Sequence, residues 1–423
     1  MAQTIHPRLM ADPDLAPATA AESALDDALR GRSGDIRSGD VRIAIHENLS
    51  DVESLWRGFE QHADGTVFQS FDWLACWQRH VGTRQEVQPA IVVGRDASGA
   101  VLFLLPLGIR PRRGFRELSW LGSDLCDYNG PLLATDFAAR LPRERFTGLW
   151  RDIVTALQAN PRLRHDVVSL TKMPAEVGAQ PNPLLALPTD VHPSGAYLTR
   201  LGRDWETFYA AKRSTSTRRR DRTKRKRLGD IGAVQLVEPS SVADTLASLD
   251  TLMAQKSRAF AHMGVANLFA HPGYREFYRA LAADSDTRGF VHVSRLDVGT
   301  TPAAINLGLT WRGRYYHLLA SYDDGEVSRF GPGAAHLHDL MRLATERGHD
   351  YFDFTIGDEP YKRDWSDIEL KLYDHVAAAN WRGVPVVWAM VTAQHAKRAI
   401  KQTPALWSLF SKGRGLLGAL RRG

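Results

Sequence analysis

Residues 314–365 constrain the fold of this chain more than any other stretch, because the hydrophobic period changes from two to 3.6 and back within them. They read RYYHLLASYDDGEVSRFGPGAAHLHDLMRLATERGHDYFDFTIGDEPYKRDW: strand, glycine-rich loop, helix, strand, loop. Leu337, Leu340, Met341 and Ala344 recur at i, i+3, i+4 and i+7, which predicts a helix with one buried stripe. Pro332 suits its first turn, and Gly348 suits a left-handed stop after Arg347. In the strand that follows, Phe352, Phe354 and Ile356 alternate with Tyr351, Asp353 and Thr355.

The loop Arg329-Phe-Gly-Pro-Gly-Ala334 is the strongest candidate site. Gly331 and Gly333 let backbone approach a ligand, Arg329 adds a fixed charge, and the helix start aims free N–H groups at the loop. Such a loop binds a diphosphate; a plain strand-to-helix turn would need the same glycines.

The pattern around this stretch recurs earlier in the chain. Phe68–His80 reads as a helix and is followed by strands at Ala90–Gly94, Val101–Ile109 and Leu118–Leu121. Later, a helix at Tyr274–Ala282 precedes strands at Val291–Leu296, Ala303–Trp311 and Arg314–Ser321. This implies a duplicated unit of about 150 to 180 residues. Pro174–Pro193, with five prolines, reads as the connection between the two units. The expected division is a disordered tail at 1–39, lobes at 40–195 and 196–385, and a basic tail at 386–423.

Composition narrows the class. With 423 residues the chain is long enough for two ordinary domains. Runs such as Val101–Ile109 and Val384–Val391 have about half the length that crosses a bilayer. Residues 1–21 carry Asp and Pro where a secretory signal carries an apolar core, so the expected compartment is the cytoplasm. Two cysteines, Cys76 and Cys126, exclude a disulfide scaffold and a cysteine-cluster zinc site. His317, His336 and His338 lack metal spacing with an acidic partner, so no metal is expected.

The chain resembles the GNAT superfamily, and within it the CelD/BcsL-like acyltransferases linked to cellulose and other exopolysaccharide synthesis. The residues that carry this are Phe68-Gln-Ser-Phe-Asp-Trp73, Leu104-Leu-Pro-Leu107, Leu121-Gly122, Asp127-Tyr128, Arg329-Phe-Gly-Pro-Gly333, Gly348, Asp353-Phe354 and Gly357-Asp-Glu-Pro-Tyr-Lys362. The resemblance implies an α/β protein of two GNAT-like lobes, each a mixed sheet flanked by helices, with the acyl-CoA element in the C-terminal lobe. It implies acetyl-CoA or another acyl-CoA as cosubstrate, with Arg329, Phe330, Gly331, Gly333 and Ala334 on the pyrophosphate. The implied reaction moves an acyl group to an amine or hydroxyl, on a small molecule or a saccharide. The same architecture resembles the Fem-type aminoacyltransferases, which use aminoacyl-tRNA. A scaffold that keeps the fold without catalysis is the third reading.

Acyl transfer from a thioester needs a base near the acceptor, donors for the oxyanion and an acid for the thiolate. The candidates are Asp323 or Asp324 at a strand end, Asp353 on a strand face beside the loop, and Tyr361 as the group that meets the sulfur. Asp358, Glu359 and Lys362 are the candidate acceptor contacts. Each has an ordinary structural alternative in turn capping or packing.

Net charge is +6, concentrated in two places. Residues 212–227 carry ten Lys/Arg and one acid, and 395–423 carry seven and none, which leaves the rest of the chain at −10. The first run is a solvated face, a contact for an anionic acceptor or CoA, or an RNA site. The second carries Trp407, Phe410, Leu416, Leu417 and Leu420 among its cations, a composition suited to an anionic membrane surface. On that reading the expected placement is peripheral, at the inner face of the membrane; docking on the body of the protein or on a partner is the alternative.

Overall fold

The structure is a computed structural model that describes residues 36–284 and 289–402, with side chains through 396. The tail at 1–35 and the amphipathic segment beyond 402 lie outside the described residues. In the first half, β1 (Val41–His46) leads through α1 (Glu53–Glu60) and α2 (Phe71–Trp77) to β2 (Gln88–Arg95), β3 (Val101–Arg112) and β4 (Phe115–Trp120). Next come α3 (Arg143–Ala159), β5 (Val167–Pro174) and the short β6 (Asp190–Val191). After β7 (Ala196–Arg200), the second half carries α4 (Trp205–Lys212), α5 (Thr215–Ile231), β8 (Val234–Val237), α6 (Val242–His262) and α7 (Tyr274–Ala283). It continues with β9 (Val291–Val298), β10 (Thr301–Trp311), β11 (Arg314–Tyr322), α8 (Pro332–Glu346) and β12 (Tyr351–Ile356). The chain then adds α9 (Pro360–Trp365), β13 (Ile368–Leu370), β14 (Leu372–Ala378) and α10 (Gly383–Gln402).

One sheet runs β1-β2-β3-β4-β5-β14-β6, with Ile36–Ser38 beyond β1; the other runs β8-β9-β10-β11-β12-β7-β13. The two orders are the same, but each half supplies the sixth-placed strand of the other half's sheet. β14, expected with the second lobe, lies between β5 and β6 of the first sheet. The repeat itself ends after β7, so a cut near residue 195 keeps every strand of the second sheet together and misplaces β14 alone.

The duplication reaches fine detail. In each sheet the fourth and fifth strands pair in parallel for three residues, Glu117–Ser119 with Val167–Ser169 and Arg314–Tyr316 with Tyr351–Asp353. In each, the fifth strand then bulges, two residues facing one on the exchanged strand. The bulges hold Lys172 at φ 59° and Thr355 at φ 58°. A β-branched residue at positive φ is strained, and the bulge breaks the alternation expected for 351–356.

The lobes share a core. Trp73 of α2 meets Phe277 of α7 edge-on at 5.1 Å, and Phe68 meets Tyr316 at 5.8 Å. The local sequence explains why α2 sits there. Gln69 closes a capping box with Thr66 and donates to the Tyr128 carbonyl, and Ser70 caps α2 through the Trp73 amide. The motif Phe68–Trp73 is thus architectural.

Candidate functional site

β11 and β12 pair only at their starts and then part, so their C-terminal ends open a gap, the usual place for a ligand at a parallel pair. The Ala320 carbonyl on β11 accepts from Lys256 Nζ at 3.2 Å, and the Ile356 carbonyl on β12 from Lys362 Nζ at 2.7 Å. Both lysines are largely buried. Desolvation lowers the Lys256 pKa, and Glu359 opposes the fall.

The glycine-rich loop lies at the mouth of this gap. Gly331 caps α8 at φ 68°, ψ 55°, a conformation that glycine adopts without a Cβ clash, and Pro332 occupies the first turn. A Cβ at Gly333 would stand 3.3 Å from the Tyr322 ring. Phe330 packs over Leu228, Val298, Ala303 and Val327, its ring 4.8 Å from the Arg329 guanidinium and 6.0 Å from that of Arg227. Arg329 is exposed and pairs with Glu326 at 3.1 Å.

The run 212–227 forms the end of α4 and most of α5, broken where Ser214 caps α5 through the Thr217 amide. Arg225 clamps both Asp339 oxygens of α8, at 3.0 and 2.8 Å. This lays the basic helix along the loop, enclosing a cavity of about 110 Å³ lined by Arg222, Lys224, Phe330, Gly331 and Ala334. Arg219, Arg220, Arg222, Lys224, Lys226 and Arg227 remain exposed.

The remaining candidates separate into three places. Asp323 accepts from the Gly325 amide at 2.9 Å and lies 3.7 Å from Arg258, which also holds Asp324 at 3.0 Å, so both acids fasten the turn to α6. Asp353 does not border the loop: its register partner is Tyr316, seven residues before Asp323. Its buried carboxylate accepts from Tyr128 Oη at 2.7 Å, the Thr355 amide at 2.8 Å and Arg314 at 3.3 Å, tying the lobes together. Asp358 and Glu359 follow β12 into a cleft of about 900 Å³ between the lobes. Tyr361, 38% exposed, meets Phe354 edge-on at 6.3 Å; partial desolvation and the nearby Glu359 raise its pKa, keeping the phenol protonated.

Sequence reasoning missed Lys256 and Asp127. Asp127 hydrogen-bonds the strained Thr355, and burial raises its pKa. The pair Asp127-Tyr128 stood out in the sequence without a role, which the fold supplies: it brings Asp127 to the β12 bulge and Tyr128 to Asp353. Burial pushes His317 and His336 down to about 3, and both thiols up to about 12. Neither cysteine is therefore a thiolate at neutral pH. Among the described residues no group of three or more His, Cys, Asp or Glu could hold a metal, and no helix is long and apolar enough to cross a membrane.

A mixed sheet whose fourth and fifth strands pair in parallel and then part is the GNAT-like arrangement, and both lobes have it; the second alone sets a glycine-led helix start above the gap. Residues 215–363 match the model of the acetyltransferase (GNAT) domain. Of solved structures, that of FemX aligns with TM-score 0.54 at 10% identity, covering 81% of this chain and 98% of FemX. A conserved protein of unknown function from Bacteroides thetaiotaomicron VPI-5482 aligns with TM-score 0.50 at 12% identity, covering 78% and 98%. A tandem GNAT protein from the clavulanic acid biosynthesis pathway aligns with TM-score 0.46 at 13% identity, covering 80% and 99%. No curated protein matches the sequence.

Proposed function

We propose that this chain transfers an acyl group from an acyl-CoA, acetyl-CoA in the first instance, to an amine or hydroxyl of a saccharide or saccharide precursor in cell-envelope or exopolysaccharide synthesis. The observation that carries the reading is the gap between β11 and β12 with the Gly331 helix start and the cations of α5 at its mouth. A gap of one strand's width accepts an extended, amide-bearing arm, and the loop with α5 suits the phosphates at the arm's far end. Two buried, protonated thiols favour direct transfer to the acceptor over a cysteine acyl-enzyme. Arg329, Phe330, Gly331, Gly333 and Ala334 hold the pyrophosphate in this reading, and Tyr361 is the acid that meets the leaving thiolate.

Calorimetric titration with acetyl-CoA and with CoA tests it. Gly333→Glu sets a carboxylate in the first turn of α8, where the helix dipole welcomes it and an incoming phosphate does not. Saturable binding by the wild type, lost in a folded Gly333→Glu protein, is the expected result. Unchanged affinity in the variant removes the loop assignment.

A Fem-type transfer from aminoacyl-tRNA is the second reading, favoured by the exposed cations of α5. It requires tRNA binding that weakens steeply with salt; no retention of tRNA at low salt rejects it.

A further inference from the structure

The cleft of about 900 Å³ between the lobes contains a histidine that the acyl-CoA site leaves unused. His192 lies in the proline-rich connection after β6, and its backbone amide donates to the Leu372 carbonyl at the head of β14. Its Nδ1 stands 2.9 Å from each oxygen of Asp374 on β14. Asp374 is 2% exposed and His192 16% exposed, so the pair is enclosed on the carboxylate side and open on the imidazole side. The carboxylate is fixed from two further directions, by the Lys172 amide at 2.9 Å and Gln394 Nε2 at 3.2 Å. The Lys172 amide is the one that the strained β5 bulge presents to the exchanged strand. A carboxylate on Nδ1 holds the proton on that nitrogen and leaves Nε2 as the basic atom.

The opposite wall suits a hydroxylated or cationic ligand. Asp358, Glu359 and Glu369 line it with Arg363 and Lys371, and Arg363 is turned toward the Tyr197 hydroxyl at 3.1 Å. The cleft also adjoins the acyl gap. Gly357 is part of its wall, and a Cβ there would lie 2.7 Å from Lys362 Nζ, the ammonium that bonds the Ile356 carbonyl in the gap.

We infer that His192, oriented by Asp374, is the general base for an amino sugar or other polyhydroxylated acceptor bound in this cleft. The inference rests on the acyl-CoA reading for its second substrate. In the step, the acceptor nitrogen or oxygen bonds the thioester carbonyl carbon and gives its proton to His192 Nε2. The C–S bond breaks with its electron pair on sulfur, and the imidazolium proton returns through solvent to the thiolate. His192 is the catalytic residue, and Asp374 is a positioning residue.

The test follows thiol release from acetyl-CoA with D-glucosamine or D-glucose as acceptor probe, over about pH 6 to 9. His192→Gln retains a donor for Asp374 without supplying a base, and Asp374→Asn retains shape without charge. Acceptor-dependent release with an acid-side limb is expected for the wild type. In His192→Gln kcat should fall about 100-fold or more and the limb disappear, while CoA affinity stays unchanged; Asp374→Asn should fall less. Wild-type rates in both variants overturn the inference, as does loss of CoA affinity in parallel with activity, which marks a structural role. Acetyl-CoA binding without release to either sugar overturns the acceptor class. If the wild type binds no acetyl-CoA, the reading beneath fails instead, and the His192 ring resonances then test the cleft alone. They should shift on adding D-glucosamine; unmoved resonances overturn the inference.

Discussion

At the scale of single residues, buried carboxylates set how this protein responds to pH and mutation. Tyr128 donates to Asp353 across the lobe junction at 2.7 Å with both groups enclosed. Tyr128→Phe leaves that carboxylate short of a donor and should cost about 1–3 kcal/mol by urea denaturation. Glu60 is buried against the Phe71 amide, and desolvation pushes its pKa from 4.5 up to about 7. Between those values the folded chain holds a proton that the unfolded chain releases, so stability declines as pH rises through the window, by at most about 3 kcal/mol. Glu60→Gln should flatten this dependence, as measured by denaturation at each pH; the same slope in the variant would assign it to another group. The sequence singled out Asp353 and Tyr361 for catalysis and Lys362 for the acceptor, without any means to see what each touches. Asp353 meets Tyr128, 225 positions away, and His192 meets Asp374, 182 away.

At the scale of elements, the helix that carries the loop was legible because its signals are local. Pro332, the stripe Leu337–Ala344 and Gly348 set its start, face and end, and α8 spans Pro332–Glu346. Gly331→Ala forces a Cβ into the left-handed region and should cost about 1–2 kcal/mol in stability. The bulge at Thr355 was illegible, since it depends on which strand lies alongside. The basic run was legible as a charge pattern but not as a neighbour of the loop, because the Arg225–Asp339 clamp joins residues 114 apart. Replacing exposed Arg222 and Lys226 with Gln should weaken CoA binding and flatten its dependence on salt, read by titration at several salt concentrations. A face that is only solvated would leave both unchanged.

At the scale of the molecule, strand exchange makes each lobe depend on the other. Two repeated patterns were readable from the order of helices and strands, but the destination of Leu372–Ala378 was not: seven residues of strand character fit either sheet equally. Truncation after residue 371 removes β14, exposes the β5 edge and strands β6. The shortened chain should lose the near-ultraviolet circular dichroism of the first lobe's buried tryptophans, Trp56, Trp73 and Trp77. A native-like spectrum would show that the first sheet closes without the exchanged strand. The duplicated gap also raises the question of which lobe binds the thioester. Only the second has the Gly331 helix start and the basic helix α5 beside its gap; in the first, Pro142 precedes α3 and no glycine-rich loop is present. Hydrogen–deuterium exchange with and without acetyl-CoA tests this most directly. Protection confined to β11 beyond Tyr316, the loop 329–335 and the end of β12 is the predicted result. Protection of β4, β5 and the start of α3 instead, or of neither set, would contradict it.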